Sequence, residues 1–297
     1  AFSADGKAIR STDDAELRTW DADSGRAAGR FAHPELVGFS RWDAAGRIVA
    51  AGPNTIDDPR RVVAVFDAVA GKKLLSVADP ERAKGFGWCG FDLSADGARL
   101  VLPVTKDKKV RLQLWDVPTA TLVWDVETPA DWSPGRLTLT ADDRVLAGWT
   151  DLLTLDARTG KQLARWDLVK AGVLPTDPSN NTHLYPSRDG KMLGYVIQNV
   201  GIFLVDSRTG TLVRRIDTPD ETHWPLEFSP DGTRFATSTA WTDTGVRVWE
   251  TETGKLVGRL DESPSRVLEI AFSPDGRRLA TGGEDGTALI WTVPDVR

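Results

Sequence analysis

The chain is 297 residues long, 40% hydrophobic and 27% charged, with a formal net charge of −6. That balance suits a water-soluble globular fold with a sizeable core and argues against general binding to phosphate backbones. No apolar run approaches the roughly eighteen residues of a membrane span, the single cysteine Cys89 excludes an intrachain disulfide, and no signal-peptide pattern follows Ala1, so a cytoplasmic setting without nucleic-acid or membrane partners is expected.

Twelve tryptophans against two tyrosines point to a side-chain role repeated along the chain, and two signatures do recur. The first is an apolar residue, a Ser or Thr, then a tight turn. The second is a short alternating strand that ends in an acidic residue and a Thr-Gly or Ser-Gly turn. In chain order, Phe2-Ser3-Ala4-Asp5-Gly6 is followed by Leu17–Gly25 with Trp20 before the acid. A weaker turn, Asp43-Ala44-Ala45-Gly46, precedes Val62–Gly71 with Phe66. Leu93-Ser94-Ala95-Asp96-Gly97 precedes Val110–Ala120 with Trp115. Thr140-Ala141-Asp142-Asp143 and Ser187-Arg188-Asp189-Gly190 precede Leu152–Gly160 and Ile202–Gly210, with Leu155 and Val205 in place of Trp. Phe228-Ser229-Pro230-Asp231-Gly232 precedes Val246–Gly254 with Trp249. Phe272-Ser273-Pro274-Asp275-Gly276 precedes the truncated Ala288–Val293 with Trp291. Pro-Asp-Gly has a mechanism as a turn: Pro presets φ, Asp bonds its own backbone, and Gly accepts positive φ.

Each repeat therefore reads as four short strands. Strand a precedes the first turn and strand b follows it, as in Arg278–Thr281. Strand c carries the Trp, and strand d follows the second turn, as in Lys255–Leu260. The turn glycine advances from Gly6 to Gly276 in six steps, a mean of 45 residues. Four antiparallel strands at that period predict an all-β, seven-bladed β-propeller. The expected blades span about 1–31, 32–78, 79–126, 127–168, 169–217, 218–261 and 262–297 of a single domain. Blade one begins inside strand a and blade seven ends after strand c, so about twenty-seven strands are expected where a closed ring has twenty-eight.

On these residues the chain resembles the WD-repeat family, most closely over Ala271–Trp291. The resemblance implies a hydrogen-bonded set in each blade, a His before strand a, a Ser or Thr in strand b, an Asp in the b–c turn and the strand-c Trp. Blade seven matches with Thr281, Asp285 and Trp291, but Glu262-Ser263 stands where Gly-His is expected, and His33 is the one histidine placed for such a set. Packing of Trp and Phe, about 1.5–3 kcal/mol for each large buried side chain, is then expected to carry the blades. Trp20, Trp115, Trp249 and Trp291 are structural by register, and Trp42, Trp124, Trp149 and Trp166 read as packing residues. Family members close the ring with residues upstream of the first strand a, so the chain is expected to be a segment of something longer. Its Ala- and Arg-rich character resembles bacterial WD-repeat propellers attached to signalling domains such as kinases or sigma-type factors.

The a–b and c–d turns are short, whereas the b–c and d–a loops vary. Most intervals from one c–d turn to the next a–b turn run 21 to 23 residues, but Gly71–Gly97 is 26 and Gly160–Gly190 is 30. Asn54–Arg60, Lys106–Lys109 and Thr239–Gly245 add residues to b–c loops. Insertions gathered on one face of a repeat array mark a binding face, and Trp and Arg dominate interface hot spots. The candidate interaction face therefore comprises Trp88, Trp132, His183, His223, Trp224, Trp241, Arg60 and Arg266.

Catalytic chemistry is hard to find. Gly85-Phe86-Gly87-Trp88-Cys89-Gly90 matches a dinucleotide fingerprint but lacks the strand before and the helix after that the motif needs. Asp21–Gly25 opens like a calcium loop but lacks the later ligands. His33, His183 and His223 have no zinc-ligand spacing. The resulting expectation is a non-enzymatic protein- or peptide-binding scaffold with no cofactor and no metal. The alternative is a quinoprotein-like or hydrolase-type propeller enzyme, because Leu155–Trp166 resembles the Trp-docking repeat of quinoprotein propellers. That class has eight blades and a calcium site, and the feature is well formed in one repeat here.

Overall fold

Short runs of β-branched and aliphatic residues bounded by Ser-Asp-Gly punctuation favour strands over helices. The computed structural model describes residues 1–12, 16–35, 39–52, 62–79, 90–132, 135–175, 182–219, 222–240, 245–261 and 263–294. Among them are twenty-six strands in seven antiparallel sheets, the blades of a seven-bladed β-propeller. The chain divides into two compact units, one of Ala1 with Ser3–Trp166 and the other of Phe2 with Asp167–Arg297.

In the first unit, β1 (Ala8–Thr12), β2 (Glu16–Asp21) and β3 (Ala27–Ala32) form sheet one. Its strand a is reduced to residues 1–3, where Ala1 exchanges two backbone hydrogen bonds of 2.8 Å with Arg10 and the Ser3 N–H donates to the Ala8 carbonyl at 2.9 Å; this short pairing is why one strand fewer forms than the repeat predicts. Sheet two holds β4 (Phe39–Trp42), β5 (Ile48–Gly52), β6 (Val62–Asp67) and β7 (Lys72–Ala78). Sheet three holds β8 (Asp92–Leu93), β9 (Arg99–Lys106), β10 (Lys109–Asp116) and β11 (Thr121–Glu127). Sheet four holds β12 (Arg136–Leu139), β13 (Arg144–Gly148), β14 (Asp151–Asp156) and β15 (Gln162–Asp167).

In the second unit, sheet five holds β16 (Thr182–Pro186), β17 (Met192–Ile197), β18 (Gly201–Asp206) and β19 (Leu212–Asp217). Sheet six holds β20 (Thr222–Phe228), β21 (Arg234–Ala240), β22 (Val246–Glu250) and β23 (Leu256–Leu260). Sheet seven has three strands, β24 (Val267–Phe272), β25 (Arg278–Gly283) and β26 (Ala288–Thr292), so its strand d is absent as the repeat predicts.

The a–b turns share one construction. The Ser229 and Ser273 hydroxyls each donate to the turn Asp, Asp231 and Asp275, at 2.6 Å, and accept the backbone N–H of Arg234 and Arg278 at 3.0 and 2.8 Å. Ser3, Ser94, Thr140 and Ser187 repeat the bond to their own Asp. Sheet two dispenses with the hydroxyl: the Asp43 carboxylate itself accepts Arg47 and Ile48 N–H at 2.6 and 2.9 Å. In sheet four Asp143 holds the glycine position at φ 58°. It is fixed there by Arg99 at 2.8 Å and Arg158 at 2.6 Å, which offsets the strain of a left-handed non-glycine residue.

Apolar seams join neighbouring sheets. Leu112, Leu114 and Trp124 of sheet three pack on Leu137, Leu139 and Leu153 of sheet four. Ile202 and Leu204 of sheet five pack on Leu226, Phe228 and Phe235 of sheet six, and Val246 and Val248 pack on Val267, Ile270 and Phe272 of sheet seven.

The expectation that His33 is the one histidine placed for a polar set is corrected. His223, buried to 1% exposure, places Nδ1 3.0 Å from Thr237 Oγ1, which also accepts the Trp249 indole N–H at 3.0 Å. His33 instead accepts the Glu35 N–H and packs its ring 4.8 Å from Phe66. Related bonds run from Trp20 to Ser11, from Trp115 to Gln113 and from Trp291 to Thr281. Packing therefore acts together with a hydrogen bond at each strand-c Trp, because a buried indole N–H left without an acceptor is costly.

Candidate functional site

An antiparallel four-strand meander puts its a–b and c–d turns at one end and its b–c and d–a loops at the other. Of the expected interaction residues, Trp132, His183, His223, Trp224 and Arg266 lie at or just before the first strands of their sheets. Trp88, Trp241 and Arg60 lie outside the described residues, as do Gly85–Cys89 of the glycine-rich motif.

In the first unit Asp131 and Trp132, ahead of β12, are both tied to sheet four. Trp132 is 5% exposed and donates its indole N–H to the Asp151 carbonyl at 3.0 Å. Beside it Arg165 binds Asp151 at 2.6 Å and Asp131 at 3.1 Å, and those bonds hold the guanidinium firmly charged. Trp132 thus fills the apolar seam of sheets three and four. On the strands a of this unit, the Asp92 carboxylate accepts Thr138 Oγ1–H at 2.9 Å and Leu139 N–H at 2.8 Å. Desolvation pushes this carboxyl up, against the pull of the Arg41 charge and the two hydrogen bonds. Asp92 thereby covers an edge N–H that no further strand pairs.

In the β9–β10 hairpin Asp107 and Lys108 adopt φ 52° and 61°, the left-handed pair of a two-residue hairpin turn. Lys109 leans back onto Glu127 at 2.6 Å. This is turn chemistry with exposed lysines. The Leu155–Trp166 segment is likewise explained as a turn: Asp156 accepts Thr159 N–H and Oγ1–H at 2.8 Å each, and Gly160 takes φ 71°.

The second unit brings expected residues together. His183 on β16 and Trp224 on β20 have ring centroids 5.9 Å apart. Trp224 sits in a bulge, because pairing jumps from His223↔Thr239 to Leu226↔Thr237. Two interactions tie the bulge down. The Ser238 hydroxyl donates to the Trp224 carbonyl and also reaches the Val267 carbonyl at 3.2 Å, linking sheet six to β24. Arg266, immediately before β24, pairs with Glu284 at 3.2 Å. Asp285 accepts Thr287 N–H and Oγ1–H at 3.0 and 2.7 Å, which lowers its pKa, and its own N–H approaches Ser265 Oγ at 3.5 Å. His223, expected beside Trp224 on the face, points into the blade instead; adjacent residues on a strand face opposite sides.

Sequence reasoning missed Glu269, an exposed carboxylate within the apolar run Val267–Phe272, and Ser238, which anchors the Trp224 bulge. A charged residue inside an apolar strand is a legible signal for the first. The second depends on the bulge, which no spacing announces. Among the described residues no group of three or more His, Cys, Asp or Glu side chains is arranged to hold a metal ion, and no helix is long and apolar enough to cross a membrane.

Comparison with known proteins agrees with this architecture. Residues 254–292 match the family described as WD domain, G-beta repeat; they run from the end of the sheet-six c–d turn to Thr292, the last residue of β26. No curated protein matches the chain in sequence. Among solved structures, the β-propeller domain of Cps50 (Swd1) from Myceliophteria thermophila superposes with a TM-score of 0.74, over 99% of this chain and 95% of that one, at 19% identity. That likeness is one of fold.

Proposed function

We propose that the chain is a non-enzymatic scaffold that binds a protein or peptide through the d–a and b–c loop ends of its sheets, within a larger bacterial signalling or regulatory protein. The observation that carries the reading is the convergence in the second unit. His183, Trp224 and Arg266 come from the corresponding ends of three successive sheets, with Trp224 anchored through its own carbonyl. Tryptophan and arginine are among the residue types that dominate binding hot spots. The WD-repeat match over 254–292 supports the same class, while the fold by itself does not specify a ligand.

The test is selection of phage-displayed peptides on the chain, followed by titration of the selected peptides against a Trp88→Ala, Trp224→Ala, Trp241→Ala variant. Binding weaker by about tenfold or more, at unchanged thermal unfolding, is expected for hot-spot losses. Unchanged affinity removes the loop ends as the binding surface.

A further inference from the structure

One b–c hairpin departs from the others in its length and in the residues at its tip. β9 and β10, eight residues each, are the longest strands among the described residues. They meet at Lys106-Asp107-Lys108-Lys109, four exposed residues in a row. Below the tip the hairpin is held from both sides. The Thr105 N–H donates to the Asp79 carboxylate, just past β7 of sheet two, at 3.0 Å. On the other side the Val110 carbonyl accepts the Thr128 N–H and Oγ1–H at 3.1 and 2.9 Å.

Two features of the tip work against stability. Lys108 takes φ 61°, where an L side chain is disfavoured. Gly or Asn ordinarily fills such a position, and the b–c tips of sheets five and seven use Asn199 at φ 57° and Gly286 at φ 81°. Lys106 and Lys109 also stand directly opposite each other in the register, so like charges repel across the ladder. Lys109 is relieved by Glu127 at 2.6 Å, and Arg111 takes up Asp125. Lys106 and Lys108 have no ion-pair partner among the described residues.

The repeat does not call for lysines here, since sheet seven carries Glu284 and Asp285 in its own b–c tip. A side chain held in a costly backbone conformation, with unrelieved charge beside it, is the kind of outlier that clusters at functional sites. We infer that the β9–β10 tip docks an acidic, extended segment of a partner protein, whose carboxylates are taken by Lys106 and Lys108. Charge complementarity selects that occupant. The two lysines project from a chain of net charge −6, and Asp125 and Glu127 lie alongside the hairpin on β11. A phosphate backbone, charged at every unit, would run onto those acids and the acidic surface beyond them, whereas a short acidic segment ends at the lysines. Because the hairpin base is fixed on both sides, little freedom is lost when the tip is engaged. This rests on the binding reading above, since b–c loops belong to the proposed face, and names the chemistry of the partner.

The probe is a fluorescein-labelled hexaglutamate peptide, with hexaglutamine and a short oligothymidylate beside it. Each is titrated against the full chain by fluorescence anisotropy in low salt, where exposed charges are least screened. Hexaglutamate is expected to bind, and a Lys106→Gln, Lys108→Asn variant to bind it about fivefold more weakly. Asn tolerates the left-handed conformation, so thermal unfolding of that variant is expected to be unchanged or higher. A Lys161→Gln, Lys255→Gln variant removes the same charge from exposed c–d turns and is expected to keep the parent affinity. Equal losses in the two variants, no loss in the hairpin variant, or equal binding of hexaglutamine overturns the hairpin site. Tighter binding of the oligothymidylate, lost in the hairpin variant, overturns the acidic peptide in favour of a nucleic acid. If phage-selected peptides bind and lose affinity in the triple tryptophan variant while hexaglutamate leaves the anisotropy unchanged, this inference falls and the scaffold reading stands. If the selection yields nothing and the probes are also silent, both fall.

Discussion

Sheets six and seven are built from nearly the same repeat, yet their third strands live in different surroundings. Val248 before Trp249 is 0% exposed, whereas Ile290 before Trp291 is 37% exposed. Both tryptophans donate to a strand-b threonine at 3.0 Å, Thr237 and Thr281, and both a–b turns use the same Ser–Asp pair. The difference is β23, which pairs with β22 and has no counterpart beside β26 among the described residues. Local hydrogen bonding in this repeat is complete within one hairpin, but burial of strand c needs the strand after it. A third strand without an outer neighbour also leaves a row of edge N–H and C=O groups exposed.

The largest expected contrast is at the tryptophans. Trp249→Ala is expected to cost about 3–5 kcal/mol in urea unfolding and Trp291→Ala under about 2 kcal/mol, because a half-exposed ring leaves a smaller cavity. Equal losses would break the comparison. Next, Thr237→Val strands both His223 and Trp249 inside sheet six and is expected to cost about 1–3 kcal/mol. Thr281→Val, whose indole partner reaches water, is expected to cost under about 1 kcal/mol. Val248→Ala is expected to cost about 2 kcal/mol against about 0.5 kcal/mol or less for Ile290→Ala. Hydrogen exchange sharpens the same contrast, with amides of β26 exchanging well before those of β22.

The smallest effect is one the two sheets share. Asp231 and Asp275 are held below the usual carboxylate range by the Ser229 and Ser273 hydroxyls. A lowered folded pKa gives stabilisation that is present above the unfolded value of about 3.9 and is lost as pH falls through the folded value. Ser229→Ala and Ser273→Ala should therefore each flatten the fall of stability below about pH 3.9, measured by urea unfolding across pH. A steeper fall in either variant would contradict the turn geometry.

These contrasts separate what was legible in the sequence from what was not. The Ser273–Gly276 turn was legible because its bonds join residues five or fewer apart. Trp249 and Trp291 were both assigned to strand c, but nothing local distinguishes the covered ring from the half-exposed one. Among the expected interaction residues, His183 and Trp224 do meet. Trp132 and His223 turn inward, each satisfying a polar atom through a contact that spacing does not reveal: Asp151 lies nineteen residues from Trp132, and Thr237 lies fourteen from His223.

By itself the sequence determined the repeat, its turns, the strand order and the Trp positions, since each follows from φ preferences and hydrogen bonds within a few residues. Only the tertiary structure decided that the Trp224 bulge would carry His223 into the core and Trp224 beside His183, and that Ser238 would tie it to β24. Those outcomes depend on register and on which sheet lies alongside, and a one-residue change of register reverses the side of the sheet each side chain faces.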